Sequence, residues 1–137
     1  MKASAKLKIQ ELLSRAAYCF DERRLEDLAD CFVPNATMLV TITGVGEVGP
    51  FNGREAIMQL MSQTLEAQTD VRRHVISNFF FEAEGKKAAT VVSNLVVTAV
   101  ENGNIDVIIS GVYRDEVVRD DEAWRIQNRR LDLDLPF

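Results

Sequence analysis

The chain has 137 residues, of which 47% are apolar and 27% charged, and a formal net charge of −5. That length supplies one hydrophobic core and is too short for two, so residues 1–137 are expected to form a single domain. Acidic and basic residues are interspersed without a basic stripe, which argues against nucleic acid, and no apolar run approaches the roughly 18 residues of a membrane span or forms a leader core. The expectation is a cytoplasmic protein whose partner is a small hydrophobic molecule.

Cys19 and Cys31 fall in helical patterns and read as buried small hydrophobes rather than a disulfide. One histidine and two separated cysteines do not supply zinc-site spacing, so no metal is expected.

In chain order, Ile9, Leu12, Leu13, Ala16, Ala17 and Phe20 recur at helical spacing and predict an amphipathic helix from about Ala5 to Phe20. Leu25, Leu28 and Phe32 suggest a second, short helix ending before Pro34. Residues Ala36 to Thr43, with Met38, Val40 and Ile42 alternating, predict a strand, followed by a turn region from Gly44 to Pro50. A third helix is expected to start at Asn52-Gly53-Arg54-Glu55, a capping-box spacing, and to run to about Gln68 with Ile57, Leu60, Met61 and Leu65 buried. Everything after Asp70 reads as strand: Val71 to Glu82, Lys87 to Val100, Asp106 to Val118 and Ala123 to Leu133. The short polar breaks between them, Asn102-Gly103 above all, are hairpin chemistry and imply an antiparallel meander. The fold class is therefore α+β, a curved sheet with three helices on one face and room for a pocket between.

Phase reasoning adds two details. In the strand after the third helix, His74, Ile76, Asn78 and Phe80 share one face. In the last strand, Trp124 and Ile126 have one parity and Leu131 and Leu133 the other, which predicts a bulge near Gln127 to Arg129 able to turn Arg129 inward.

His74 is the single histidine and so the first candidate to move protons near neutral pH. Asp21, in the joint between the first two helices, either orients His74 as a carboxylate does in base dyads or caps the second helix. Arg129 is either an anion clamp or part of a solvated basic edge. Tyr18 and Tyr113 are hydrogen-bond donors for a substrate oxygen, or boundary residues. Gly44-Val45-Gly46-Glu47-Val48-Gly49 matches G-x-G-x-x-G, but Pro50-Phe51-Asn52 stands where a helix must open and the following strands read as antiparallel. A hairpin is the better reading.

Phe20-Asp21, Phe32-x-x-Asn35-Ala36, Phe51-Asn52-Gly53-Arg54-Glu55-Ala56-Ile57, His74-x-x-x-Asn78 and Gly111-Val112-Tyr113-x-Asp115 running on to Trp124-Arg125-Ile126-x-x-Arg129 together resemble the SnoaL-like branch of the nuclear transport factor 2-like superfamily. The resemblance covers nearly the whole chain. It implies a cone-shaped, cystatin-like α+β barrel with a mostly antiparallel curved sheet enclosing an apolar cavity, in homodimers or homotrimers. Within that branch the chain is most similar to the scytalone dehydratase, bile acid dehydratase and hexachlorocyclohexane dehydrochlorinase group. There, a histidine at the start of the long strand and an aspartate after the first helix remove a proton during an elimination. His74 and Asp21 fall on those positions, and Arg129, five residues after Trp124, on that of an arginine that assists the departing anion. The implied substrate contacts are Tyr18, Phe32, Asn78 and Tyr113. The chain departs from the group in two places: Ala16 stands where the dehydrochlorinase has a lysine, and the second histidine of scytalone dehydratase is missing. The implied function is a cofactor-independent lyase of dehydratase or dehydrohalogenase type, with an isomerase or a non-catalytic ligand-binding or subunit-association module as alternatives.

Overall fold

A computed structural model describes residues 1–137. The element order is α1 (Ala3–Asp21), α2 (Leu25–Asp30), β1 (Phe32–Ile42), β2 (Gly46–Asn52), α3 (Arg54–Ala67), β3 (Val71–Glu84), β4 (Ala88–Glu101), β5 (Asn104–Asp120) and β6 (Ala123–Leu133). The six strands form one sheet in the order β2-β1-β6-β5-β4-β3. β3 to β6 are the expected antiparallel meander, and β1 joins β6 in parallel. At the β4–β5 hairpin both Asn102 (φ 53°) and Gly103 (φ 79°) take the left-handed conformation that a tight hairpin turn requires. No helix is long and apolar enough to cross a membrane.

The core sits where α1 and α2 pack on β1, β6 and the ends of β4 and β5. Ile9, Leu13, Leu28, Phe32, Val117 and Ile126 are among its large, fully buried members. These are the i, i+3, i+4 positions of α1 and the inward parity of the strands, so burial follows periodicity directly.

Three expectations are corrected. α2 ends at Asp30, and Phe32 opens a strand instead of closing a helix. Pro34 is tolerated inside β1 because the ladder with β6 is interrupted between Phe32 and Thr37 and pairing with β2 begins only at Thr37, so no hydrogen bond is lost. The Gly44–Pro50 region is largely an edge strand, β2; its glycines, its proline and its solvent exposure leave no alternation to read. It pairs antiparallel with β1, so the G-x-G-x-x-G match lies in a hairpin. The capping box does not form, because Asn52 is the last residue of β2 and the N-cap of α3 is Gly53, at φ 94° and without a side-chain cap bond.

The bulge in β6 is where the parity change required it. Val117 pairs with Ile126 and Glu116 with Asn128, which leaves Gln127 unpaired and brings Trp124, Ile126, Arg129 and Leu133 all inward. A second bulge was not legible. Asn78 adopts φ 57° between the Ser77–Asn94 and Phe80–Val92 pairs, so Phe79 and Phe81 turn to the core while Phe80 faces solvent.

Candidate active site

α1 terminates at Asp21 because Glu22 and Arg24 close back onto the Tyr18 and Cys19 carbonyls, with Arg23 left-handed at φ 59°. A carboxylate in the last turn of a helix opposes the helix dipole and needs compensating donors. It finds them on β3. This is an edge strand, so alternate backbone N–H groups lack a ladder partner. The His74 backbone N–H donates to Asp21 Oδ2 at 2.8 Å, and His74 Nδ1 lies 2.5 Å from Oδ1. Both side chains are largely buried, at 11% and 7% exposure, and the Phe20 ring packs on the imidazole with centroids 5.0 Å apart. An ionised Asp21 fixes the proton on Nδ1 and leaves Nε2 with its lone pair. That nitrogen has no partner in the protein.

His74 also lines a cavity of about 190 Å³ between α3 and the inner face of the sheet, 13 of whose 17 lining residues are hydrophobic. For scale, a buried apolar cavity of roughly 150 Å³ holds a benzene ring. Met38, Val40, Leu95, Leu131 and Leu133 supply apolar wall, while Val48 and Phe137 are the lining residues that reach solvent. The polar lining is sparse: Thr64 and Gln68 with Arg72 and His74, joined by the hydroxyl of Tyr113, whose ring is counted in the hydrophobic wall. No three His, Cys, Asp or Glu side chains come together as metal ligands would.

Tyr113 is 6% exposed, and its hydroxyl has no hydrogen-bond partner in the protein. Burial pushes this phenol above its ordinary pKa against the opposing pull of Arg129, so it stays a proton donor. The Arg129 guanidinium lies behind it, 4.0 Å from the ring centroid. Arg129 is held by Asp115 through Nε at 2.7 Å and a second nitrogen at 3.2 Å, with both side chains buried. Burial works against the guanidinium's charge, and Asp115 more than reverses this, raising its pKa above the ordinary arginine range. Burial likewise pushes Asp115 up, opposed by Arg129.

Of the residues expected at the site, the structure brings His74 and Tyr113 to the cavity and sets Asp21 behind His74. Arg129 does turn inward, but it is paired with Asp115 and does not line the cavity. Tyr18 is 57% exposed on the solvent side of α1. Phe32 is solid core at the far end of β1, and Asn78 is an exposed bulge residue; neither lines the cavity. Asp21 caps no helix: α2 is preceded by Arg24, without a side-chain cap. Sequence reasoning missed Arg72, although a strand's period of two puts it on the face of His74. It also missed Asp115, whose place opposite Arg129 depends on the register after the β6 bulge.

A family model for a SnoaL-like domain matches residues 1–130. An uncharacterised protein of Mycobacterium tuberculosis strain H37Rv is 30% identical over 128 residues, covering 92% of this chain and 83% of that protein. Among solved structures, an NTF2-like protein with a cystatin-like fold from Novosphingobium aromaticivorans superposes with a TM-score of 0.79 at 25% identity, over 93% of this chain and 80% of the other. The beta subunit of a putative aromatic-ring-hydroxylating dioxygenase from the same organism gives a TM-score of 0.84 at 18% identity, over 98% and 92%. A six-stranded curved sheet, N-terminal helices on one face and the family match across nearly its whole length agree: the chain belongs to the SnoaL-like domain family, on the NTF2-like, cystatin-like fold.

Proposed function

We propose that this protein is a cofactor-independent lyase of the dehydratase type that removes a proton from carbon of a small hydrophobic, cyclic substrate. The observation that carries the reading is the dyad: a carboxylate tied at both oxygens to His74, a residue in the wall of a ring-sized apolar cavity whose Nε2 makes no hydrogen bond within the protein. Neutral His74 takes the proton from carbon, and Asp21 stabilises the imidazolium that results. The same imidazolium, or the Tyr113 hydroxyl, then supplies the proton with which a hydroxyl leaves as water. Halide elimination is less well served, since Arg129 is sequestered by Asp115.

That sequestration favours a second reading, an isomerase, in which His74 returns the proton to another carbon and nothing departs. A panel of cyclic alcohols and enones in deuterated water separates the two. Elimination releases water, isomerisation incorporates deuterium without it, and both require His74 and Asp21. Binding by the parent protein with neither outcome supports a non-catalytic module instead, the reading that the likeness to a dioxygenase beta subunit would favour.

Self-association as a homodimer or homotrimer goes with this proposal, through the outer face of the sheet where Val75 and Phe80 stand exposed. Light scattering that reports a monomer would remove it. The two buried, unpaired thiols of Cys19 and Cys31 suit a reducing, cytoplasmic compartment.

A further inference from the structure

Arg72 is the one cationic side chain at the cavity wall, and it sits two residues from His74 on the same strand face, about 6.5 Å along β3. Asp70 holds it through Nε at 2.8 Å and Nη2 at 3.4 Å, and the pair is only 19% and 16% exposed. Nη1 makes no hydrogen bond within the protein. A planar guanidinium fixed on one edge cannot swing away, so the donors of Nη1 are held in place on the cavity-lining residue next to His74 on that strand face.

Charge then narrows the substrate. Asp70 neutralises Arg72, and Asp115 neutralises Arg129. With His74 neutral, Asp21 leaves the site one negative charge in excess, which disfavours an anionic ligand in a low-dielectric cavity. The apolar lining accepts a neutral ring. What the arrangement lacks in the resting state, and acquires on reaction, is a negative charge opposite Arg72.

We infer that Arg72 receives the charge that develops when His74 takes a proton, and that the substrate is a neutral cyclic compound whose carbonyl oxygen meets Nη1. The inference rests on His74 as the base. A C–H bond breaks and an N–H bond forms at Nε2. The electron pair moves into a carbon–carbon double bond, and the carbonyl oxygen becomes an enolate oxygen that accepts from Nη1. The products are an imidazolium paired with Asp21 and an enolate facing Arg72, with total charge unchanged.

The test uses 4-nitrophenol, whose phenolate mimics the enolate and is read by its absorbance, with 4-nitroanisole as a shape-matched neutral control. Both are titrated into the full chain and into Arg72→Gln and Arg72→Lys, at a pH where free 4-nitrophenol is mostly protonated. The parent is expected to bind 4-nitrophenol with growth of the phenolate band. Arg72→Gln should weaken that binding about tenfold, the loss of one charge-assisted hydrogen bond, and suppress the band while binding 4-nitroanisole as before. Arg72→Lys should recover part of both. Unchanged affinity and band in Arg72→Gln, equal weakening of both ligands, or no phenolate band in the parent would overturn the assignment. His74→Gln separates the two layers: a band that survives there but not in Arg72→Gln sinks the base and leaves Arg72 standing.

Discussion

Asp21 and Asp115 each engage a nitrogen-bearing residue at both oxygens, at similar distances and in similarly dry surroundings, but Asp115 holds the Arg129 side chain with both, whereas Asp21 divides its two between the backbone N–H and the ring of His74. Asp115 meets Arg129 in the middle of β5 and β6, where sheet and packed side chains close over both. Asp21 meets His74 at a helix end and a sheet edge, where the imidazole keeps one nitrogen without a protein partner and the residue lines the cavity. The contrast teaches that burial and pairing alone do not make a reactive group; one valence must stay open toward a space that a substrate can enter.

The same aspartate-to-asparagine change should therefore have opposite consequences at the two positions. Asp115→Asn leaves a buried guanidinium without its counter-charge, and urea denaturation should show a loss of about 3–5 kcal/mol, much of it recovered when Arg129→Met is added. Asp21→Asn should cost about 1 kcal/mol in stability, because an amide oxygen still accepts from the His74 N–H. Proton abstraction from carbon should nevertheless fall by about 10²- to 10⁴-fold, measured as the initial rate on whichever panel compound the parent turns over.

Filling the open region sharpens the difference further: Leu131→Trp, placed on the cavity wall, should weaken 4-nitroanisole binding about tenfold by calorimetry. The smallest expected effect belongs to the closed region. Burial pushes the Cys31 thiol up to about 11 from an ordinary 9.0. Alkylation of the native protein at pH 8 should thus spare it. Since the unfolded chain releases this proton first, stability should decline as pH climbs from about 9 towards 11, and Cys31→Ala should flatten that decline.

Periodicity made the frame of this fold legible. The stripe of α1, the meander of β3 to β6 and the β6 bulge all follow from where apolar residues recur, since a misplaced phase would expose them. β2 and the Asn78 bulge were hidden because an exposed edge strand and a left-handed asparagine carry no burial signal. At the site, His74 stood out by being alone of its kind, whereas Asp21 needed the family resemblance to outweigh a helix cap. Arg129 turned inward as its parity implied, but what awaited it was Asp115, a partner that only the register across two strands reveals. Tyr18, Phe32 and Asn78 lie away from the cavity for one reason: motif position says nothing about which side of a helix or which end of a strand meets it.

Because the chain has a single histidine, ¹⁵N labelling of histidine gives one imidazole and an unambiguous reading of its two nitrogens. At neutral pH the Nδ1–H tautomer is expected, with a strongly hydrogen-bonded Nδ1 proton that disappears in Asp21→Asn, and an Nε2 resonance that moves when 4-nitrophenol enters the cavity. An Nε2–H tautomer, or an Nε2 signal indifferent to the ligand, would contradict the account.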